Sequence, residues 1–404
     1  MKVCILSSSD GRGGAFAAAY RIHQSLISGG SESVMLVDRK TRNDQSVIGR
    51  VGIINKYVSK LKSHIDILLL KFNGLSSNNS LWSIDYLSFG NYKSLDKLNV
   101  DVINLHWINN YFFSIGDISK IDKPIVWTLH DMWPFTGGCH YSDGCLGYKN
   151  GCGNCPQFKI KKDNDLSSWI WGKKDKLWKD IDITIVTPSR WLADCARNSK
   201  LFSDKRIEVI PGCVDLNVFN PINKDIARRE LKLPNNKLVL FGAAGATSNP
   251  RKGFIYLQRA RKHLHRLDVK MIIFGADGGE DKKAIYLGRL NSDQSVALAC
   301  SAADVFVAPS TEENLANTVV EALACGTPCV AFDIGGMSDM IEHKKNGYLA
   351  KPFNAQDLAR GIIWVLENNV DGSLSRSARK KAEENFSPAV TAEKYRKLYE
   401  EIIG

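Results

Sequence analysis

Apolar runs of strand length alternate with helical patterns along this chain, and the alternation occurs twice. The first series reads KVCILSS, a helix through AAAYRIHQSLISGG, then SVMLVD, DVINLHW, PIVWTLHD and ITIVTPS followed by RWLADCARNS, closing at RIEVIPGCVD. The second restarts at KLVLFGAAG and continues through VKMIIFGADG, DVFVAPS and TPCVAFDIGG to a helical tail. Strands so continuously rich in Val, Ile and Leu belong to parallel sheets covered on both faces, and the alternation is the rhythm of βαβ units. Two doubly wound α/β domains with a cleft between them are the expected architecture. The length agrees, because single cores stop growing at roughly 250 to 300 residues and this chain has 404. The expected boundaries are 1–215 and 216–385, with Leu216 to Pro234 as the passage between domains and 386–404 as a terminal helix.

The proportions of 44% hydrophobic and 24% charged residues are those of a globular protein and far from the disordered class. No apolar run reaches the twenty residues that span a bilayer. The apolar part of MKVCILSSSDGRGG is too short for a signal-peptide core and runs into a glycine-rich turn, so the cytosol is the expected location. There thiols stay reduced, and ten cysteines are not expected to form a disulfide framework. A net charge of +11 favours acidic partners such as phosphorylated ligands or anionic lipid. Residues 50–73 carry apolar residues at helical spacing with Arg50, Lys56, Lys60, Lys62 and Lys71. They suit either an anionic membrane surface or a helix packed on its own domain. SSWIWGKKDKLWKD adds Trp169, Trp171 and Trp178 among lysines and favours the membrane slightly. The basic residues are scattered rather than aligned with aromatic stacking partners, so nucleic acid is not an expected partner.

The segment TGGCHYSDGCLGYKNGCGNC spaces Cys139, Cys145, Cys152 and Cys155 as C-x5-C-x6-C-x2-C. Only the last pair has the familiar knuckle spacing. Four thiolates around a structural zinc, free thiols, and a disulfide pair all remain open, with His140 as a reserve ligand. Four thiolates would close the coordination sphere, so the cluster is expected to staple a loop and not to be the catalytic centre.

In PSTEENLANTVVEALACGTPCVAFDIGG two carboxylates recur. On one helix Glu313 and Glu321 would lie about 12 Å apart at about 1.5 Å per residue, too far for the roughly 5 Å of a retaining glycosidase pair. Glu313 is therefore expected in the loop after a strand and Glu321 on a helix capped by Asn314 or Asn317. A helix N-terminus there would suit a pyrophosphate; a polar loop with solvated glutamates is the plainer reading. Gly13 and Gly14 follow the first strand, in a turn that lets backbone approach a phosphate or simply relieves crowding. His130 ends the strand PIVWTL, at the edge where α/β sheets bind ligands.

GRGGAFAAAYRIHQSL, WTLHDMWPFTGGC, VTPSRWL, VIPGCVDLNVFNP, PRKGF and the Glu313 to Glu321 element with EALACGTPCVAFDIGG together resemble glycosyltransferase family 4, whose members have the GT-B fold. The segment LHDMWPFTGGCHYSDGC…GCGNCPQ resembles the branch that builds capsules, exopolysaccharides and O-antigens.

This resemblance implies a retaining transferase that needs no metal for catalysis. It would move a sugar from a nucleotide-diphosphate-sugar to a saccharide or lipid-linked acceptor at the cytoplasmic membrane face. It places the donor on the C-terminal domain, with Arg251 and Lys252 at the diphosphate, amides around Asn314, Leu315, Ala316 and Asn317 at the phosphates, Glu321 at the ribose hydroxyls and Glu313 at the sugar. Gly13 and Gly14 would approach the donor, and His130 would lie near sugar and acceptor. The terminal helix AVTAEKYRKLYEEIIG would cross back to the first domain. Two positions depart from the family: Ala246 stands where many relatives have an arginine, and ENLA replaces the usual E-G-F-G. An epimerase or phosphorylase on the same fold, and a zinc-containing nucleic-acid-binding protein, are the competing readings.

Overall fold

The computed structural model describes all residues except 12, 50–67, 76–80, 88–90, 244, 266, 280 and 282. The chain divides into two compact units, Met1–Ile210 with Ala392–Gly404, and Pro211–Thr391. The first contains seven strands: β1 (Lys2–Ser9), β2 (Glu32–Arg39), β3 (Val47–Gly49), β4 (Val102–Leu105), β5 (Ile125–Thr128), β6 (Ile183–Thr187) and β7 (Ile207–Val209). They pair in parallel in the order β3-β2-β1-β4-β5-β6-β7. The second contains β8 (Lys237–Gly242), β9 (Val269–Phe274), β10 (Ile285–Tyr286), β11 (Val305–Ala308), β12 (Cys329–Phe332) and β13 (Gly347–Ala350). Its parallel order is β10-β9-β8-β11-β12-β13.

Strands β4, β5, β6, β11 and β12 are buried at every residue. That is why their sequences run apolar without alternation: helices cover both faces of the sheet. Local signals place the helices. Ser189 accepts a hydrogen bond from the Leu192 amide to start Arg190–Arg197, and a Ser292/Ser295 capping box starts Asp293–Ala302. Each cap satisfies an amide that the helix itself leaves unpaired.

The stretch expected as a passage between domains is built into the second unit. The unit begins at Pro211, and Lys224–Glu230 is a helix capped by Asn223. Arg228 is buried there and donates to Asp304 at 2.8 Å and to the Ala302 carbonyl at 3.0 Å. At the other end, the helix Pro388–Ile403 carries the chain back into the first unit. There Tyr399 Oη accepts from Asn104 at 2.6 Å, Tyr395 Oη lies 3.0 Å from Thr128 Oγ1, and Arg206 pairs with Glu401 at 2.6 Å. Both tyrosines are fully buried.

Of the segment 50–73, residues 50–67 lie outside the described residues. The tryptophan and lysine run 166–178 is a helix, but Trp171, Lys174 and Trp178 are buried and only Trp169 among its tryptophans is exposed. One face of that helix is core, with Ile170, Trp171 and Trp178 in the first unit's hydrophobic cluster. Among the described residues no helix is long and apolar enough to cross a membrane.

Candidate active site

In the second unit β8 and β11 adjoin where the winding of the sheet reverses, and loops at the carboxyl ends of such strands form the usual ligand crevice. After β8 the chain makes a single turn, Pro250–Lys252, and enters the helix Phe254–Arg261. Gly253 joins the two with φ of +71°, and a Cβ there would stand 1.8 Å from the Pro309 carbonyl oxygen. Only glycine lets the Arg251–Lys252 turn lie directly on the loop that follows β11.

That loop carries Glu313, which is 5% exposed. Its carboxylate accepts from Lys252 Nζ at 2.6 Å, Arg251 Nη1 at 3.2 Å and Ser310 Oγ at 3.5 Å. Arg251 Nη1 also donates to the Glu312 carbonyl at 2.6 Å. The backbone of Glu313 is held from the other side. Gly336 N donates to its carbonyl at 3.1 Å, and at Gly335, φ +53°, a Cβ would fall 1.9 Å from the same oxygen. Burial pushes the Glu313 carboxyl up, but the charges and hydrogen bonds of Lys252 and Arg251 outweigh it and hold the group at about 2.

From Glu313 the chain runs through Asn314 and Ala316, both buried, and the partly buried Leu315 into the helix Asn317–Ala324. The N-cap is neither Asn314 nor Asn317 but Ala316, which makes no side-chain capping bond. Alanine has no acceptor, so the N-cap residue itself makes no capping hydrogen bond. Glu321 is buried within this helix. Ala246, at the family's arginine position, is fully buried in the apolar core, so Arg251 and Lys252 supply the positive charge here.

In the first unit β1 and β4 adjoin at the equivalent reversal. Gly13 caps the helix Gly14–Ser28 with extended backbone, φ −64°, so it requires no left-handed conformation. A Cβ on Gly14 would meet nothing within 4 Å. Crowding within the fold therefore does not demand glycine at 14.

His106 and Trp107 leave β4; His130 and Asp131 leave β5. His106 Nδ1 lies 2.9 Å from His130 Nε2, with the rings stacked at 5.2 Å. Burial pushes His106 well below the ordinary imidazole range. Burial also pushes His130 down to about 4, against the pull of Asp131. Both are neutral at pH 7. Asp131 accepts from His140 Nδ1 at 2.7 Å, Trp133 N at 2.9 Å and Trp107 Nε1 at 3.0 Å. Burial raises its carboxyl, and His140 with these donors brings it below the usual carboxylate range. Among the described residues, buried His106 Nε2 and Ser8 Oγ have no hydrogen-bond partner. The sequence reading singled out His130 and missed His106, Trp107 and Asp131. The available signal was that NLHW and WTLHD both end a buried strand in histidine.

Cys139, Cys145, Cys152 and Cys155 all line one small cavity with about 20 Å³ of room for a water-sized sphere. All four are free thiols. The loop is no appendage: Tyr148, Cys155 and Phe158 belong to the first unit's core. Burial pushes the thiol of Cys139 up strongly and that of Cys152 to about 12. As the side chains lie, no group of three or more His, Cys, Asp or Glu among the described residues is placed to hold a metal ion. His140 is no reserve ligand, since its second ring nitrogen meets Ser83 Oγ at 2.9 Å.

Two parallel α/β sheets of seven and six strands, each wound about a reversal, are those of the GT-B fold. Residues 13–218 match the profile of Glycosyltransferase Family 4, and residues 223–385 match that of glycosyl transferases group 1. The chain belongs to glycosyltransferase family 4. It is similar to the UDP-Gal:α-D-GlcNAc-diphosphoundecaprenol α-1,3-galactosyltransferase of Escherichia coli, 27% identical over 49% of this chain and 55% of that protein. It is also similar to the putative colanic acid biosynthesis glycosyl transferase WcaC of Escherichia coli K12, 26% identical over 50% of this chain and 52% of that one. The chain thus spans about half the length of these relatives. The crystal structure of Anabaena HepE with UDP-glucose superposes with a TM-score of 0.66 and 17% identity, covering 99% of this chain and 100% of that one.

Proposed function

We propose that this protein is a retaining hexosyltransferase that moves a sugar from a nucleotide-diphosphate-sugar to a lipid-linked oligosaccharide or polysaccharide in bacterial surface-polysaccharide synthesis. The observation that carries the reading is the Arg251–Lys252–Glu313 cluster. Two cations stand against one buried carboxylate, beside the helix that begins at Asn317 with Ala316 as its N-cap. Fixed positive charge and backbone amides are what a departing nucleoside diphosphate requires, because its negative charge grows as the glycosidic bond breaks. This set can supply that charge without a metal in catalysis. Glu321 takes the ribose hydroxyls, Glu313 meets the transferred sugar, Asn314 to Asn317 line the phosphates, Gly14 leaves room beside the donor, and His130 serves the sugar and acceptor.

The Escherichia coli relative is named for UDP-galactose and an undecaprenol-linked acceptor, and HepE was solved with UDP-glucose. UDP-hexoses and polyprenyl-diphosphate sugars are therefore the first substrates to test. A front-face departure, in which the leaving phosphate takes the acceptor proton, suits this site better than double displacement. Glu313, the one carboxylate assigned to the sugar, is committed to two cations. Contact with an anionic membrane fits Leu68, Leu69 and Phe72, exposed by 58%, 42% and 77%, near the exposed Lys159 and Lys161 that follow the Leu75–Phe158 bridge. The location that follows is the cytoplasmic membrane face.

A thermal-shift series with UDP-, GDP-, ADP- and dTDP-sugars tests the donor, since a ligand that binds only the native state raises the melting temperature. NMR of the product then reads the anomeric configuration. The reading predicts stabilisation by one nucleotide class and retention of configuration. An unmoved melting temperature with every donor, or an inverted product, overturns it.

A further inference from the structure

We infer that Cys139, Cys145, Cys152 and Cys155 bind one zinc ion as a tetrathiolate whose negative charge is balanced in part by the buried ammonium of Lys174. The inference is independent of the reaction proposed above. Four cysteines from a single seventeen-residue span face one cavity of about 20 Å³, room for a single ion. A lone buried water would find few hydrogen-bonding partners among thiols.

Two backbone amides already point at sulfur: Gly137 N donates to Cys152 Sγ at 3.1 Å and Gly147 N to Cys145 Sγ at 3.4 Å. Donors of this kind form the outer shell that orients and stabilises thiolate ligands.

Lys174 is the second, separate observation. Its side chain is fully buried, yet the ion pairs among the described residues include none to it. Its Nζ donates to the carbonyls of Trp133 and Thr136, the latter at 3.0 Å, and stands 3.7 Å from the centre of the Trp133 ring. A buried cation needs a compensating charge nearby. The Thr136 carbonyl that accepts from Lys174 belongs to the same peptide unit as the Gly137 amide that donates to Cys152 Sγ. A zinc tetrathiolate would carry two negative charges beside the ammonium.

Binding exchanges four S–H bonds for four Zn–S bonds and releases four protons to solvent; no electron changes hands. The thiols close on the ion as it replaces their protons, which is why they line the cavity without converging on its centre beforehand. Thiolate softness selects zinc over harder divalent ions. The first ligand, Cys139, directly precedes His140, which bonds Asp131 beside His130, so the metal anchors the loop that supports the histidine cluster.

The test is elemental analysis of the full chain purified under reducing conditions without chelator. One zinc per chain is expected, with Cys139→Ala and Cys155→Ala losing it and Cys195→Ser, outside the cluster, retaining it. Because the cysteine variants may misfold for other reasons, the wild-type protein is also read directly. Chelation should expose four additional reactive thiols, and refilling with cobalt(II) should give the intense visible bands of tetrahedral thiolate coordination. Lys174→Met should weaken zinc retention about 10- to 100-fold in chelator competition. A chain with no metal that takes up neither zinc nor cobalt overturns the inference, as does iron in place of zinc. An unchanged affinity in Lys174→Met overturns the role given to the lysine.

Discussion

The two units share a winding order and a site position, yet they place opposite electrostatics there. At the reversal between β8 and β11, Glu313 is buried and remains charged because Lys252 and Arg251 touch it. At the carboxyl ends of β4 and β5, burial keeps His106 and His130 neutral, opposed at His130 by Asp131 and reinforced at His106 by His130. Topology decides where a site can be built; the side chains set what it does. Under the proposed function, one unit would hold an anionic leaving group and the other would present uncharged imidazole to a hydroxyl or a sugar.

Removing the charge should break this division most visibly. Lys252→Ala is expected to lower sugar transfer about 10²- to 10³-fold, on the order of 3 to 4 kcal/mol, and to abolish the thermal shift by nucleotide-sugar. Wild-type turnover in this variant would mean that the cluster is structural only.

Acid should separate the units. A histidine whose folded pKa is about 4 against an unfolded value of about 6.5 lets the unfolded state bind the extra proton between those values. Stability is therefore full above about pH 6.5 and falls towards pH 4, by roughly 3 kcal/mol for His130 alone. Glu313, held at about 2, behaves differently: its contribution is present above about pH 4.5 and is lost only below that. Hydrogen exchange at pH 5 should show the first unit loosened and the second intact. Equal loosening of both would contradict the contrast.

Gly335→Ala is expected to destabilise the second unit by about 2 kcal/mol, because its Cβ would collide with the Glu313 carbonyl oxygen at positive φ. Denaturant titration of this variant beside Gly14→Ala, whose Cβ meets nothing, reads the difference. An equally large loss at 14 would show that glycine there is structural after all.

The smallest effect is expected for His106→Ala, about tenfold in transfer rate, with the thermal shift by nucleotide-sugar unchanged. If donor binding falls as well, the assignment of separate tasks to the two units fails.

Much of this was readable from the chain. Continuous apolar strands marked both sheets, and the carboxylates at 313 and 321 were correctly placed on a loop and a helix by their spacing. The Asn cap was misassigned because Ala316, with no capping chemistry, starts the helix. The tryptophans and lysines of 166–178 tilt slightly towards a membrane in sequence, whereas Lys174 is fully buried under Trp133. His106 was passed over because one imidazole at a strand end carries little signal until its neighbour on the next strand is known.

By itself, the sequence determined two parallel sheets, their strand rhythm and the residue types available at the end of each strand, since these follow from local periodicity and turn chemistry. Which of those residues meet was decided by tertiary structure alone. Lys252 reaches Glu313 across 61 positions, His106 reaches His130 across 24, and four cysteines of one loop come to line a single cavity. Burial and charge act through distance in space, and only the folded chain sets those distances.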